Sequence, residues 1–249
     1  MRILITNDDG IDAEGLHLLE ALARTLSDDV TIVAPASNQS GTGRSISLHR
    51  DIDFHQRDEN HYSVGGTPAD CVMLALHLLF PDKKPDLLLS GINHGMNVAD
   101  DIGYSGTVGA AKEAAINGIT GIALSQRFAK GQADFTPVKQ VGKEVLEAAI
   151  KIPMPERTVL NINFPPAHLG PVKGMRSARL DCHKFSDEIL PGDEPGSYRI
   201  GPMLMLDEVA PKTDRWWLDR GYVSLTPLKM DMTATDLLSH ISDKDLSVL

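Results

Sequence analysis

The chain has 249 residues, of which 42% are hydrophobic and 23% charged, and its formal net charge is -10. This is the composition of a globular protein with a sizeable core, in one large domain or one domain plus an extension. The acid excess argues against nucleic acid as the main partner, and no apolar run approaches the roughly 20 residues that cross a bilayer. The two cysteines, Cys71 and Cys182, lie far apart without CxxC spacing and read as reduced thiols. The start, Arg2 and a short uncharged run before two aspartates, has no signal-peptide pattern, so a cytoplasmic location is expected.

In chain order, residues 2–6 form an apolar run without polar alternation, the mark of a strand buried on both faces. Residues 15–26 carry Leu16, Leu19, Ala23 and Leu26 at helical spacing, and 30–34 form a second apolar run closed by Pro35. This β-loop-α-β order opens a parallel, doubly wound sheet. After a small-residue loop at 36–44, residues 45–54 and 62–64 are expected as short strands, a hairpin at a sheet edge. A helix follows at 67–80, with a Thr67/Asp70 capping pattern and Pro68 at its first position. Then come a strand at 86–89, a long polar stretch, a helix at 107–117 ending at Gly118, a strand at 122–124, an amphipathic helix at 138–150 and a strand at 158–162. Beyond about 165 the alternation stops. Hairpins extending from the main sheet are expected there, with a strand at 221–226 and a terminal helix at 233–239. The expected division is a core at 1–165 and an extension at 166–249.

Ligands of open α/β sheets bind beyond the carboxyl ends of the strands, where strand order reverses. Three strand runs end in polar, small-residue loops: Asn7-Asp8-Asp9-Gly10, Ser37-Asn38-Gln39-Ser40-Gly41 and Ser90-Gly91-Ile92-Asn93. If these strands are parallel neighbours, Asp8, Asp9, Ser40 and Asn93 converge on one edge. That all-oxygen set suits a hard cation such as Mg²⁺, Mn²⁺ or Ca²⁺, which polarises a phosphoryl oxygen and lowers the pKa of bound water. Ser105, Gly106 and Thr107 sit at an expected helix start, where free N–H groups and the helix dipole form an anion site. A cation site plus an anion site points to phosphoryl chemistry rather than redox chemistry. Of nine histidines, His94 adjoins Asn93 and is placed to act as an acid or base.

Each element also has a purely structural reading. Asn-Asp-Asp-Gly forms Asx turns, Ser40 and Asn93 suit ordinary loops, and Ser105 or Thr107 suits a helix N-cap. Three other functions fail on particular residues. A haloacid-dehalogenase-like phosphatase needs an aspartyl nucleophile where this chain has Asn7, and an amide cannot form an aspartyl phosphate. A response-regulator receiver needs its phosphoacceptor aspartate where this chain has Ser90. Dinucleotide binding needs a GxGxxG after the first strand, and none is there.

Five stretches, "ILITNDDGIDAEG", "VAPASNQSGTG", "GGTPADCV", "PDLLLSGINHGMNVADDIGYSGTVGAAKEA" and "GYVSLTPL", together resemble the SurE family of survival-protein nucleotidases along most of the chain. The resemblance implies a Rossmann-like α/β fold, a doubly wound, mostly parallel sheet, with a C-terminal β-hairpin extension used for oligomerisation. It implies a metal-dependent phosphatase that hydrolyses nucleoside 5′- and 3′-monophosphates. The cofactor is then one divalent cation per subunit, Mg²⁺ or Mn²⁺, held by Asp8, Asp9, Ser40 and Asn93, with Asp8 or Asp9 expected as the catalytic base. Asn97, Ser105, Gly106 and Thr107 are expected to hold phosphate oxygens. The expected assembly is a homodimer or homotetramer, with neither nucleic acid nor a membrane as partner. The residues around these motifs, His94 and Met96 among them, are the variable part and bear on substrate preference.

Overall fold

The computed structural model describes residues 1–128, 133–182, 184–205, 208–238 and 241. The first unit is β1 (Ile3–Thr6), α1 (Glu14–Arg24) and β2 (Val30–Pro35), followed by the short edge pair β3 (Phe54–Gln56) and β4 (His61–Val64). The chain continues through α2 (Pro68–Leu78), β5 (Leu87–His94), α3 (Gly106–Ile116), β6 (Thr120–Gln126), α4 (Thr136–Ala149) and β7 (Thr158–Phe164). The last part contains β8 (Met175–Ser177), β9 (Lys184–Pro191), β10 (Tyr198–Met205), α5 (Asp214–Leu218), β11 (Val223–Lys229) and α6 (Thr235–Leu238).

The main sheet has nine strands in the order β3-β4-β2-β1-β5-β6-β7-β11-β8. Strands β4, β2, β1, β5, β6 and β7 run parallel, as expected for a doubly wound sheet, and β11 lies antiparallel beside β7. One face buries Ile3, Ile5, Ile122 and Ile162 under α1 and α4, and the other buries Leu4, Leu88 and Val159 under α2 and α3. This two-sided burial is why the strands read as continuous apolar runs. The order reverses at β1, whose neighbours are β2 on one side and β5 on the other. The crevice therefore opens between the ends of β1 and β5.

Two expectations change. Residues 45–53 are not a strand. Ser47 donates its N–H (2.9 Å) and hydroxyl (2.7 Å) to Asp70, which also completes the capping box of α2 by accepting the Thr67 N–H at 2.8 Å. The loop is anchored by a side chain rather than by a ladder. The hairpin β9–β10 does not extend the main sheet but pairs only with itself, while β11 and β8 complete that sheet. Of the expected terminal helix, α6 is present and residue 239 lies outside the described residues. No helix among the described residues is long and apolar enough to cross a membrane.

The end of β5 is shaped by close packing. Its pairing with β6 shifts register between Ser90, opposite Ala123, and Asn93, opposite Ser125, a bulge at Gly91-Ile92 just before Asn93. Helix α1 rests directly on that bulge: a Cβ at Gly15 would lie 2.0 Å from the Ile92 carbonyl oxygen. Glycine to alanine inside a helix is normally favourable by up to about 1 kcal/mol. Here the sign should invert. Gly15→Ala is expected to destabilise the fold by about 1–3 kcal/mol through overpacking, read as a lower midpoint in denaturant unfolding. An unchanged or higher midpoint would show that α1 does not bear on the bulge.

Candidate metal and phosphate site

The loop after β1 is both a turn and a carrier of carboxylates. Asn7 closes it, donating its amide N–H to Gly10 O at 2.8 Å and accepting the Gly10 N–H at 3.3 Å. Gly10 itself has φ +108. With Asn7 occupied in the Asx turn, Asp8 and Asp9 are left at the crevice.

Asp8 is only 3% exposed and sits at the N-terminus of α3. The Thr107 hydroxyl donates to its Oδ1 at 2.5 Å. The approach is so close that a Cβ on Gly106 would stand 2.8 Å from the Asp8 Cβ. Burial pushes the Asp8 carboxyl up to about 6; the Thr107 hydroxyl opposes the shift, the neighbouring Asp9 charge adds to it, and backbone N–H donors oppose it again. Asp9 is half-buried and accepts the His94 N–H on Oδ2 at 3.0 Å. Burial raises its pKa as well, against that N–H and the nearby imidazole. Among the described residues, neither acid has a lysine or arginine partner.

The second and third loops meet this pair. The Gln39 N–H donates to the Asp8 carbonyl at 2.7 Å, tying the Ser40 loop to the first. Ser40 is exposed, its N–H held by Asn38 Oδ1 at 2.8 Å. Asn93 is half-buried and uses its amide N–H on Gly95 O at 3.0 Å, which leaves Oδ1 as its open acceptor.

The donor set fits a hard divalent cation on these observations. Two desolvated carboxylates without a counter-cation are the arrangement that a bound ion relieves. No group of three or more His, Cys, Asp and Glu side chains suited to a metal occurs among the described residues. An ion here would therefore take the serine and asparagine oxygens as well.

The four residues expected to bind phosphate have definite partners. Ser105 caps α3 by accepting the Val108 N–H at 3.1 Å, and keeps its own O–H to donate. Gly106 and Thr107 are the first residues of α3, and the Thr107 hydroxyl is given to Asp8. Asn97 is buried. Its amide N–H₂ reaches Ser125 Oγ at 2.9 Å and Thr107 Oγ1 at 3.5 Å. Its main chain is clamped by β7: its N–H donates to Asn163 Oδ1 at 2.8 Å, and its carbonyl accepts from Asn161 (2.8 Å) and Asn163 (2.9 Å). Sequence reasoning missed Asn161, Asn163 and Ser125. The available signal was two asparagines at period 2, alternating with Leu160, Ile162 and Phe164 in one strand.

Because folding moves the Asp8 pKa from 3.8 to about 6, the native state binds the extra proton and stability falls as pH rises through that window. In cation-free protein, Asp8→Asn is therefore expected to raise the thermal midpoint at pH 7 and to give little gain near pH 4. Equal shifts at both pH values would contradict a desolvated, uncompensated carboxylate.

Comparison with known proteins agrees with this architecture. The sequence profile described as Survival protein SurE matches residues 3–187. The chain is 44% identical over 250 residues to the 5'-nucleotidase SurE of Erythrobacter litoralis, covering 98% of this chain and 99% of that one. It is 39% identical to the 5'-nucleotidase SurE of Vibrio cholerae, with 96% and 95% covered. The crystal structure of the SurE protein from Aquifex aeolicus superposes with a TM-score of 0.84 at 33% identity, over 99% of this chain and 100% of that one. With the same fold, motif order and near-complete coverage, the chain belongs to the SurE family.

Proposed function

We propose that this protein is a divalent-cation-dependent phosphatase that hydrolyses nucleoside 5′-monophosphates, and 3′-monophosphates as well, to nucleoside and inorganic phosphate. The observation that carries the reading is the pair Asp8 and Asp9, desolvated and without a basic partner at the switch crevice of the sheet. The relatives named 5'-nucleotidase SurE supply the substrate class. Asp8, Asp9, Ser40 and Asn93 would hold the ion, Mg²⁺ or Mn²⁺ by its preference for hard oxygen donors. When bound, such an ion supplies polarisation of a phosphoryl oxygen and a lowered pKa for water.

The chain's own groups divide the remaining work. Asp8 is the better-placed base: Thr107 fixes Oδ1 and leaves Oδ2 to take the proton of the attacking water. Asp9 is oriented by the His94 N–H. The Gly106 N–H and the Ser105 O–H, at the N-terminal end of α3, face the charge of the phosphoryl group. Thr107 acts one bond further back by holding Asp8, and Asn97 supports it by donating to the Thr107 hydroxyl oxygen. Water attacks phosphorus in line with the leaving nucleoside oxygen, the P–O ester bond breaks, and the nucleoside oxygen takes a proton from solvent while Asp8 returns the water's proton to solvent. Asn7 occupies the position of an aspartyl nucleophile and is bound in the turn, so no phosphoenzyme forms.

We also propose a homo-oligomer, dimer or tetramer, built on residues 166–249 as an extension to a core at 1–165. The support is the hairpin β9–β10, which exposes Ile189 (59%), Tyr198 (73%) and Ile200 (78%) and packs on no sheet but its own. A two-stranded hairpin is marginal alone, and an apolar exposed one marks an interaction surface.

Phosphate release from AMP tests the activity. EDTA is expected to abolish turnover and Mg²⁺ or Mn²⁺ to restore it, and Asp8→Asn to lower kcat at least about 100-fold, since losing even an outer partner of a metal site costs 10–100-fold. Turnover that survives exhaustive chelation would refute the cation requirement. For the assembly, Ile200→Asp is expected to shift the mass in light scattering from oligomer towards monomer, with the near-UV spectrum of the core retained.

A further inference from the structure

We infer that the cleft beside Asp9 holds the nucleoside half of the substrate, with the base stacked on the imidazole of His94; the inference rests on the phosphatase reading above. The cleft has a volume of about 320 Å³ and is lined by Asp9, Asp12, Ser37, Asn38, His94 and the backbone between them. That volume falls at the lower end of small-ligand pockets, so it suits one nucleoside.

Charge decides which half of the substrate belongs there. The lining holds two carboxylates and neither lysine nor arginine. The Arg57 guanidinium stands 3.8 Å from Asp12 Oδ1 and is not part of the lining. Such a wall offers no cationic side chain to a phosphoryl group and accepts a neutral, hydroxyl-bearing one. The phosphoryl group is left to the α3 side of the acids, where the N–H groups are. The cleft also offers a directed donor: Asn38 uses Oδ1 on the Ser40 N–H at 2.8 Å, and its amide N–H₂ has no partner among the described residues.

His94 supplies the planar wall. Its ring is exposed yet backed by two aromatic rings, Phe128 at 5.8 Å edge-on and Phe135 at 5.2 Å, and Phe135 is buried. The imidazole is thus a supported platform rather than a free side chain. Its backbone N–H holds Asp9 Oδ2 at 3.0 Å, which places the platform one residue from the reacting centre. That contact belongs to the main chain, so substituting the ring leaves it in place.

The test compares AMP with ribose 5-phosphate, an ester with the same sugar and leaving oxygen but without the base. His94→Ala is expected to lower the ratio of kcat/KM for AMP to that for ribose 5-phosphate about tenfold, mainly through the KM for AMP, as loss of one stacking partner does. His94→Phe should restore the ratio, because a phenyl ring stacks but carries no proton. An unchanged ratio in His94→Ala overturns the inference. So does an equal fall for both esters, which would make His94 part of the reaction rather than of base binding, and so does failure of His94→Phe to restore it. Wild-type protein that releases phosphate from neither ester refutes the phosphatase reading itself, a separate result.

Discussion

The arrangement around Asp8 depends on an electrostatic deficit: two neighbouring carboxylates lose water at the switch point of the sheet with neither lysine nor arginine to pair them among the described residues. What holds Asp8 there is the N-terminus of α3, through the Thr107 hydroxyl and the main chain at Gly106 and Thr107. A helix N-terminus is an anion site, and here its first anion is the protein's own carboxylate. Gly106 has no side chain because that carboxylate lies where a Cβ would go. The cost in folding stability is the usual one for a site kept ready for a ligand: the group that binds is left unsatisfied until the ligand arrives.

Further back, the same logic governs the polar residues of the core. Asn97 is tied at three main-chain or side-chain points to β7 and at its amide to Ser125 and Thr107. An asparagine at 163 can both accept from an N–H and donate to a carbonyl, so it matches the backbone of Asn97 as another strand would. These bonds sit inside a low-dielectric core, where satisfied polar groups rigidify and unsatisfied ones are costly. They turn a long polar loop, 95–105, into a fixed wall of the site. The opposite wall is fixed by steric contact, with α1 pressed on the bulge that carries Asn93.

The two walls differ in charge, and in the proposed reading that difference sorts a nucleotide along the crevice. N–H and O–H donors gather on the α3 side, carboxylates and an aromatic platform on the Asp9 side. The hairpin β9–β10 pairs with no strand of the main sheet and shows apolar side chains to solvent.

By itself the sequence determined the α/β alternation of the parallel core up to about residue 165, because two-sided burial writes strands as apolar runs and helices as periodic ones. It also placed the candidate oxygen donors on three loops, because those residues are local in the chain: Asp8 and Asp9, Ser40, Asn93. The Thr67/Asp70 cap was legible for the same reason, since a capping box is four residues long. Three things were decided only by the tertiary structure. Ser47 gives its donors to an acid 23 residues away, which removes a strand that local β preference favoured. Thr107, at an expected phosphate-binding turn, spends its hydroxyl on an acid 99 residues away. Asn161 and Asn163 reach a main chain more than 60 residues off. Side-chain partners at such separations are set by how helices stack on the sheet, and no local spacing encodes that stacking.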